Sequence, residues 1–144
     1  MKRPDGAAPP STMLASDGSV IDIQELAREI CSRFYVRFPE ELERSGEVGV
    51  EWCRHDNGYL VAWAIQEARD GTISLVDQAL WLAGVLGARN FPLERLAGNL
   101  EIAADVLRDR IELGALAGRA ADALGAGAVA VTALAATPEQ SPAV

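Results

Sequence analysis

Leu93, Leu96, Leu100, Ala103, Leu107 and Ile111 recur at steps of three and four residues, the cleanest period in the chain. That spacing lays one apolar stripe along an α-helix and fits no strand, whose faces alternate every two residues. The same arithmetic recurs elsewhere: Ile23, Leu26, Ile30, Phe34 and Phe38 share a stripe, and Leu75, Ala79, Leu82 and Leu86 share another. Alternating β-branched runs, the signature of strands, do not occur. Striped helices can bury their apolar sides only against one another. The pattern therefore predicts an all-α, compact bundle of about five to seven helices. With 144 residues, the chain is long enough to bury its own core without metal or disulfide staples.

Local signals place the boundaries. Residues 1–18 hold Pro4, Pro9 and Pro10 among small polar residues and no apolar period, which predicts a disordered arm. The bundle is expected over residues 19–111. Asp22 with Glu25 has the form of a capping box, and Ser19 is an equal alternative start for the first helix. Pro39 ends that helix or opens the next. Residues 39–46 form a short acidic helix broken at Ser45-Gly46, and a longer helix runs from 47 to 69 and stops at Asp70-Gly71. Ser74 caps the next helix, and Pro92 suits the first turn of the one after it. Residues 112–137 are Ala-rich, but Gly114, Gly118, Gly125 and Gly127 each cost about 1 kcal/mol relative to Ala in a helix interior. Leu113, Leu116, Ala120, Leu124 and Ala128 give a thin stripe, so a weak helix is expected there, packed on the bundle or on a second copy. Residues 138–144 are expected to be a disordered tail.

Charge narrows the partners. The formal net charge is −8 and the isoelectric point about 4.6. Nucleic acid and anionic membranes both select basic surfaces, so neither is an expected partner. No stretch near Met1 has the apolar core of a signal peptide. The apolar run after Arg119 and Asp122 is shorter than the roughly 20 residues that a bilayer requires. A cytoplasmic location with reduced thiols is the expectation.

The chemistry-bearing residues concentrate in EWCRHDNGYLVAW, residues 51–63. On a helix Trp52, Tyr59 and Trp63 share one narrow stripe, with Asp56 to one side of it and His55 to the other. Cys53, Leu60 and Ala64 form a neighbouring apolar strip. The stripe admits two interpretations. Aromatic residues at helical spacing are more often core than anything else. Alternatively, Trp52, His55, Asp56, Tyr59 and Trp63 line a ligand pocket, with the imidazole of His55 available to a metal as an axial ligand.

Catalytic constellations are missing from the sequence. Cys53 and His55 are two residues apart and point about 200° from each other on a helix. Cys31 could reach His55 across helices, but nothing in the spacing requires it. Glu40-Glu41 and the pair Glu43/Glu47 read as a solvated acidic face. A di-iron site needs Glu-x-x-His, and Trp52 stands three residues before His55. Oxidation chemistry at Cys31 or Cys53 is a weaker option, because reactive thiols are partly exposed and near positive charge. An enzyme is not the expectation.

Two longer stretches carry a resemblance: ELERSGEVGVEWCRHDNGYLVAWA (41–64) and WLAGVLGARNFPLERLAGNLEIAADVL (81–107). Gly46, Glu47, Gly49, Cys53, Asp56, Tyr59 and Leu60 match a Gly-Glu-x-Gly, Cys, Asp, Tyr-Leu pattern. The region from about 20 to 111 resembles globin-like, phycobiliprotein-like helical domains of actinobacterial type. Such domains precede cobalamin-binding domains or accompany bilin metabolism. The resemblance implies a globin-like fold and a sensory or regulatory role exercised through protein contacts, as a homodimer or with a regulatory partner. It also implies, as an alternative, a bound tetrapyrrole: haem, bilin or cobalamin. Cys53 is then a candidate for covalent attachment of a bilin. His55, the chain's only histidine, would be a lone axial ligand.

Overall fold

Asp22 starts the first helix. Its carboxylate accepts a hydrogen bond from the Glu25 backbone N–H at 3.0 Å, so of the two candidate starts the structure uses this one. The computed structural model describes residues 2–137. A small hairpin precedes five helices: β1 (Thr12–Leu14), β2 (Val20–Asp22), α1 (Ile23–Arg37), α2 (Pro39–Asp70), α3 (Leu75–Ala88), α4 (Leu93–Arg108) and α5 (Ala115–Ala136). The all-α bundle predicted from the stripes is what the chain forms.

α1 buries Ile23, Leu26, Ile30 and Phe34, four of its five stripe residues, while Phe38 caps its end half-buried. α2 bends at the predicted break, where Gly46 takes φ 60° and ψ −153°, a conformation open to glycine and costly for other residues. Gly71, at φ 68°, closes α2 in the left-handed conformation and donates its N–H to the Glu67 carbonyl. Ser74 accepts from the Asp77 backbone N–H at 3.2 Å and caps α3. In α4 the residues Leu96, Leu100, Ala103 and Leu107 are buried.

Ile111 departs from that stripe. α4 stops at Arg108, and Ile111 sits in a short 3-10 turn (Ile111–Leu113), 86% exposed. Pro92 likewise lies just outside α4, as its N-cap, rather than in its first turn.

The Ala/Gly-rich segment forms the helix expected there, packed on the bundle. This helix, α5, is continuous over 22 residues, makes its most extensive contact with α4 and also packs on α2 and α3. Leu116, Ala120, Leu124, Ala128 and Val131 are buried in the common core. A Cβ on Gly127 would stand 2.7 Å from the Leu75 Cδ1. The missing side chain lets α3 and α5 approach, and the packing gained offsets the glycine's poor helix propensity. By length and composition alone α5 could also cross a bilayer, with a mean hydropathy of 1.3 in its most apolar window. The apolar run beyond Asp122 is shorter than a bilayer requires, but the helix extends back through Asp122 and Arg119 to Ala115.

The N-terminal stretch expected to be disordered carries structure over part of its length. Thr12–Leu14 pair antiparallel with Val20–Asp22, in register Thr12↔Asp22, Met13↔Ile21 and Leu14↔Val20. Ala15 and Ile21 enter the core beneath the hairpin. Three-residue strands are too short for alternation to register as a pattern. Residues 138–144, expected to be a tail, lie outside the described residues.

Candidate functional site

The break at Gly46 redirects α2, and the second part of that helix runs past α1, α3 and α4. Between these helices lies a cavity of about 550 Å³. α1 contributes Phe34 and Tyr35, α2 contributes Trp52, Cys53, Asp56, Asn57 and Leu60, α3 contributes Leu82 and Leu86, and α4 contributes Leu96 and Asn99. Phe91 and Arg89, from the α3–α4 connector, and Arg44, from the first part of α2, also line it. Lys2 and Asp5 of the N-terminal arm complete the wall.

Asn57 and Asn99 are buried and bonded to each other through their side-chain amides. The Asn57 amide also donates to the Cys53 carbonyl at 3.0 Å, and lies 3.4 Å from the Cys53 Sγ and 3.6 Å from the Cys31 Sγ. Both cysteines are free, and the Asn57 amide lies within reach of both sulfurs. Contact with Cys31, followed by burial, pushes the Cys53 thiol well above its usual range. Burial likewise pushes the Tyr35 phenol up. Asp56 is raised for the same reason, and His55 and Arg89 pull it partly back.

Guanidinium groups stand over aromatic rings in the same wall. Arg89 lies 5.4 Å from the Trp52 ring centroid, and Arg44 lies 5.9 Å from that of Phe91. Glu41 is here too, the one exception to the expected solvated acidic face, since Glu40, Glu43 and Glu47 are exposed. It is only 3% exposed, ion-paired with Arg95, and 3.6 Å from Arg44. Arg95 also holds Glu40 at 2.7 Å. Burial of one carboxylate between two guanidiniums ties the short first part of α2 to α4.

The predicted site residues divide. Trp52 and Asp56 line the cavity, and so does Cys53. His55, Tyr59 and Trp63 face the other way. With Trp52 they form a ladder of rings along α2, with centroids 5.4, 5.2 and 5.4 Å apart in succession. The N-terminal arm lies along this ladder. Trp52 Nε1 donates to the Lys2 carbonyl at 2.6 Å, Tyr59 Oη donates to the Ala7 carbonyl, and Arg3 pairs with Glu51. Pro9 packs on Gly58, where a Cβ would come within 2.5 Å of the proline ring. The half-buried aromatic stripe is thus the seat of the chain's own proline-bearing arm.

This placement gives His55 partners of its own. The two ring nitrogens of His55 lie 3.3 Å from acceptors, Nδ1 from the Asp56 carboxylate and Nε2 from the Ala7 carbonyl. Neither is presented to the cavity. Among the described residues no cluster of three or more His, Cys, Asp or Glu could hold a metal. To hold a metal, His55 would have to give up its contact with Asp56 or with the Ala7 carbonyl. Cys31, which could have approached His55, instead meets Cys53 and Asn57.

Tyr35, Arg44, Asn57, Arg89, Phe91 and Asn99 were not singled out from the sequence. A signal existed for two of them. Asn57 lies on the Cys53, Leu60, Ala64 strip and Asn99 on the Leu96, Leu100, Ala103 face. An amide at a core position of an amphipathic helix calls for a buried partner.

The chemistry on offer is recognition. Apolar and aromatic walls suit a ligand's hydrophobic body, and a few fixed polar groups orient it. A thiol pushed upward is a poor nucleophile. No protein family, no curated protein and no solved structure matches the chain.

Proposed function

We propose that this chain is a non-enzymatic sensory or regulatory domain whose helical bundle holds a small, largely apolar molecule and reports its presence through protein contacts. The observation that carries this reading is the cavity of about 550 Å³ among α1, α2, α3 and α4, within the range of small-molecule sites. Its walls combine Leu60, Leu82, Leu86, Leu96, Phe34 and Phe91 with the paired amides of Asn57 and Asn99. Exposed apolar residues supply the second half of the reading. Trp81 and Leu80 on α3 are 60% and 37% exposed, and Val129 on α5 is 72% exposed. Such residues suit a second copy or a regulatory partner.

The test is titration with the neutral solvatochromic dye Nile red, comparing the wild-type chain with Leu86→Trp. The larger side chain fills the cavity from α3. Saturable one-site binding, abolished by Leu86→Trp in a variant that still melts cooperatively, is the expected result. Absence of saturable binding, or binding that Leu86→Trp leaves intact, defeats the proposal.

A further inference from the structure

The cavity has an electrostatic asymmetry, which deepens the proposed ligand-holding role and rests on it. Six charged side chains line it: Lys2, Arg44 and Arg89 against Asp5, Glu41 and Asp56. Most of these are already committed. Lys2 Nζ is 2.7 Å from Asp5, Glu41 is held by Arg95, and Asp56 is 3.3 Å from His55. Among the described residues Arg44 pairs only with Glu41, at 3.6 Å and shared with Arg95. Arg89 forms no ion pair among the described residues. It acts on Asp56 only through its longer-range field.

Two under-used guanidiniums beside an apolar cavity stand out in a chain with 13 basic and 21 acidic residues. Each lies over an aromatic ring, Arg89 over Trp52 and Arg44 over Phe91. A guanidinium has five N–H donors in a flat fork that matches a carboxylate. Stacking on a ring uses its face and leaves those donors free. The same wall carries the apolar side chains of Leu82, Leu86 and Leu96. Asp56, also on the wall, disfavours a ligand carrying more than one negative charge.

From this arrangement we infer that the cavity selects an apolar monocarboxylic acid, with Arg89 as the principal anion anchor and Arg44 as the second. The hydrocarbon or aromatic body packs among the leucines and against Trp52 and Phe91. The carboxylate meets the Arg89 fork where it overhangs Trp52. Both arginines are exposed, so the charge contributes modest affinity and mainly selects.

Calorimetric titration of the full chain with decanoate and with decanol tests this. Decanol is the more hydrophobic of the two, so apolar burial alone would favour it. The expected result is tighter binding of decanoate, with Arg89→Gln weakening decanoate about five- to tenfold and leaving decanol unchanged. Arg89 is exposed at the end of α3, and an unchanged melting temperature in Arg89→Gln shows that the fold is intact. Binding of decanol at least as tight as decanoate, indifference of decanoate to Arg89→Gln, or no binding of decanoate each overturns the inference. Nile red, which carries no charge, separately decides whether the cavity binds small molecules at all.

Discussion

The side-chain amides of Asn57 and Asn99 face each other between α2 and α4 and exchange hydrogen bonds, Nδ2 to Oδ1 at 3.0 Å in one direction and 2.8 Å in the other. They are only 2% and 7% exposed, so neither has bulk water as a substitute partner. The reciprocal pair is a buried polar tie between α2 and α4, in addition to the Glu41–Arg95 ion pair nearer the start of α2. Truncating Asn57 strands the Asn99 amide, and truncating Asn99 strands the Asn57 Oδ1 while its Nδ2 keeps the Cys53 carbonyl; either leaves a desolvation penalty of about 1–3 kcal/mol on top of the lost packing.

Asn57→Ala and Asn99→Ala are therefore expected to destabilise the bundle by about 2–3 kcal/mol each. The double variant should lose less than the sum, because the second truncation removes the stranded group. Urea unfolding of the four proteins measures the coupling, expected at about 1–2 kcal/mol. Strict additivity would show that the two amides do not act as a pair.

Gly58 bears on the arm rather than on the core. A Cβ there would come within 2.5 Å of Pro9 Cγ and 3.0 Å of its Cβ, and a proline ring has little freedom to yield. α2 itself gains about 1 kcal/mol of helix propensity from alanine, so the strain falls on the arm. Gly58→Ala should leave global stability within about 1 kcal/mol of wild type. A broad-specificity protease should meanwhile clip residues 5–8 several times faster. Gly118 has nothing within 4 Å of a built Cβ, so Gly118→Ala should stabilise by about 0.5–1 kcal/mol and leave clipping unchanged. Equal clipping of the two variants would mean that Pro9 does not anchor the arm.

These residues also show what the sequence made legible. Caps and breaks depend on neighbours a few positions away, so Asp22, Gly46, Gly71 and Ser74 could be read locally. The stripes likewise gave the buried faces of α1, α3 and α4. The fate of the aromatic stripe could not be read this way. Whether Trp52, Tyr59 and Trp63 meet core, ligand or arm depends on residues some 50 positions away, such as Lys2 and Ala7. Helical periodicity says which face is apolar and nothing about what covers it. The cavity had the same difficulty: Arg44, Arg89 and Asn99 reach it from three separate segments. Propensity summed along the chain makes α5 weak, whereas its stability comes from close packing on α3 and α4.

Two carboxylates should respond to pH with opposite signs. Asp56 is raised above its ordinary 3.8 by burial, so the folded state holds its proton more tightly than the unfolded chain does. Its ionisation opposes folding above the raised value, and that penalty disappears as pH falls through 3.8. Asp56→Asn should thus stabilise the bundle at pH 7 and lose its advantage in acid. Glu29 is lowered below its ordinary 4.5, chiefly by its hydrogen bond with Arg110. Its contribution is present above 4.5 and is lost as pH drops through the folded value. Glu29→Gln should destabilise at pH 7 and converge on wild type in acid. Thermal unfolding of both variants from pH 3 to pH 8 gives the comparison, and curves parallel to wild type would contradict it.

The thiols give the last test, because their contact has a chemical consequence. Cys31 is 3% exposed, and its nearness is the largest influence pushing the Cys53 thiol up. Alkylation needs the thiolate. Both cysteines should accordingly react with iodoacetamide at pH 8 far more slowly in the folded chain than in urea, by about a hundredfold or more. Cys31→Ala removes the largest upward influence and opens space beside Cys53. Cys53 in that variant should be labelled faster than in wild type, and the Asn57 amide that remains should hold its thiolate better. Mass spectrometry of timed labelling resolves the two sites. Labelling of wild-type Cys53 at the rate of a free thiol would mean that the cavity wall does not shield it. An unchanged rate in Cys31→Ala would assign the protection to burial alone.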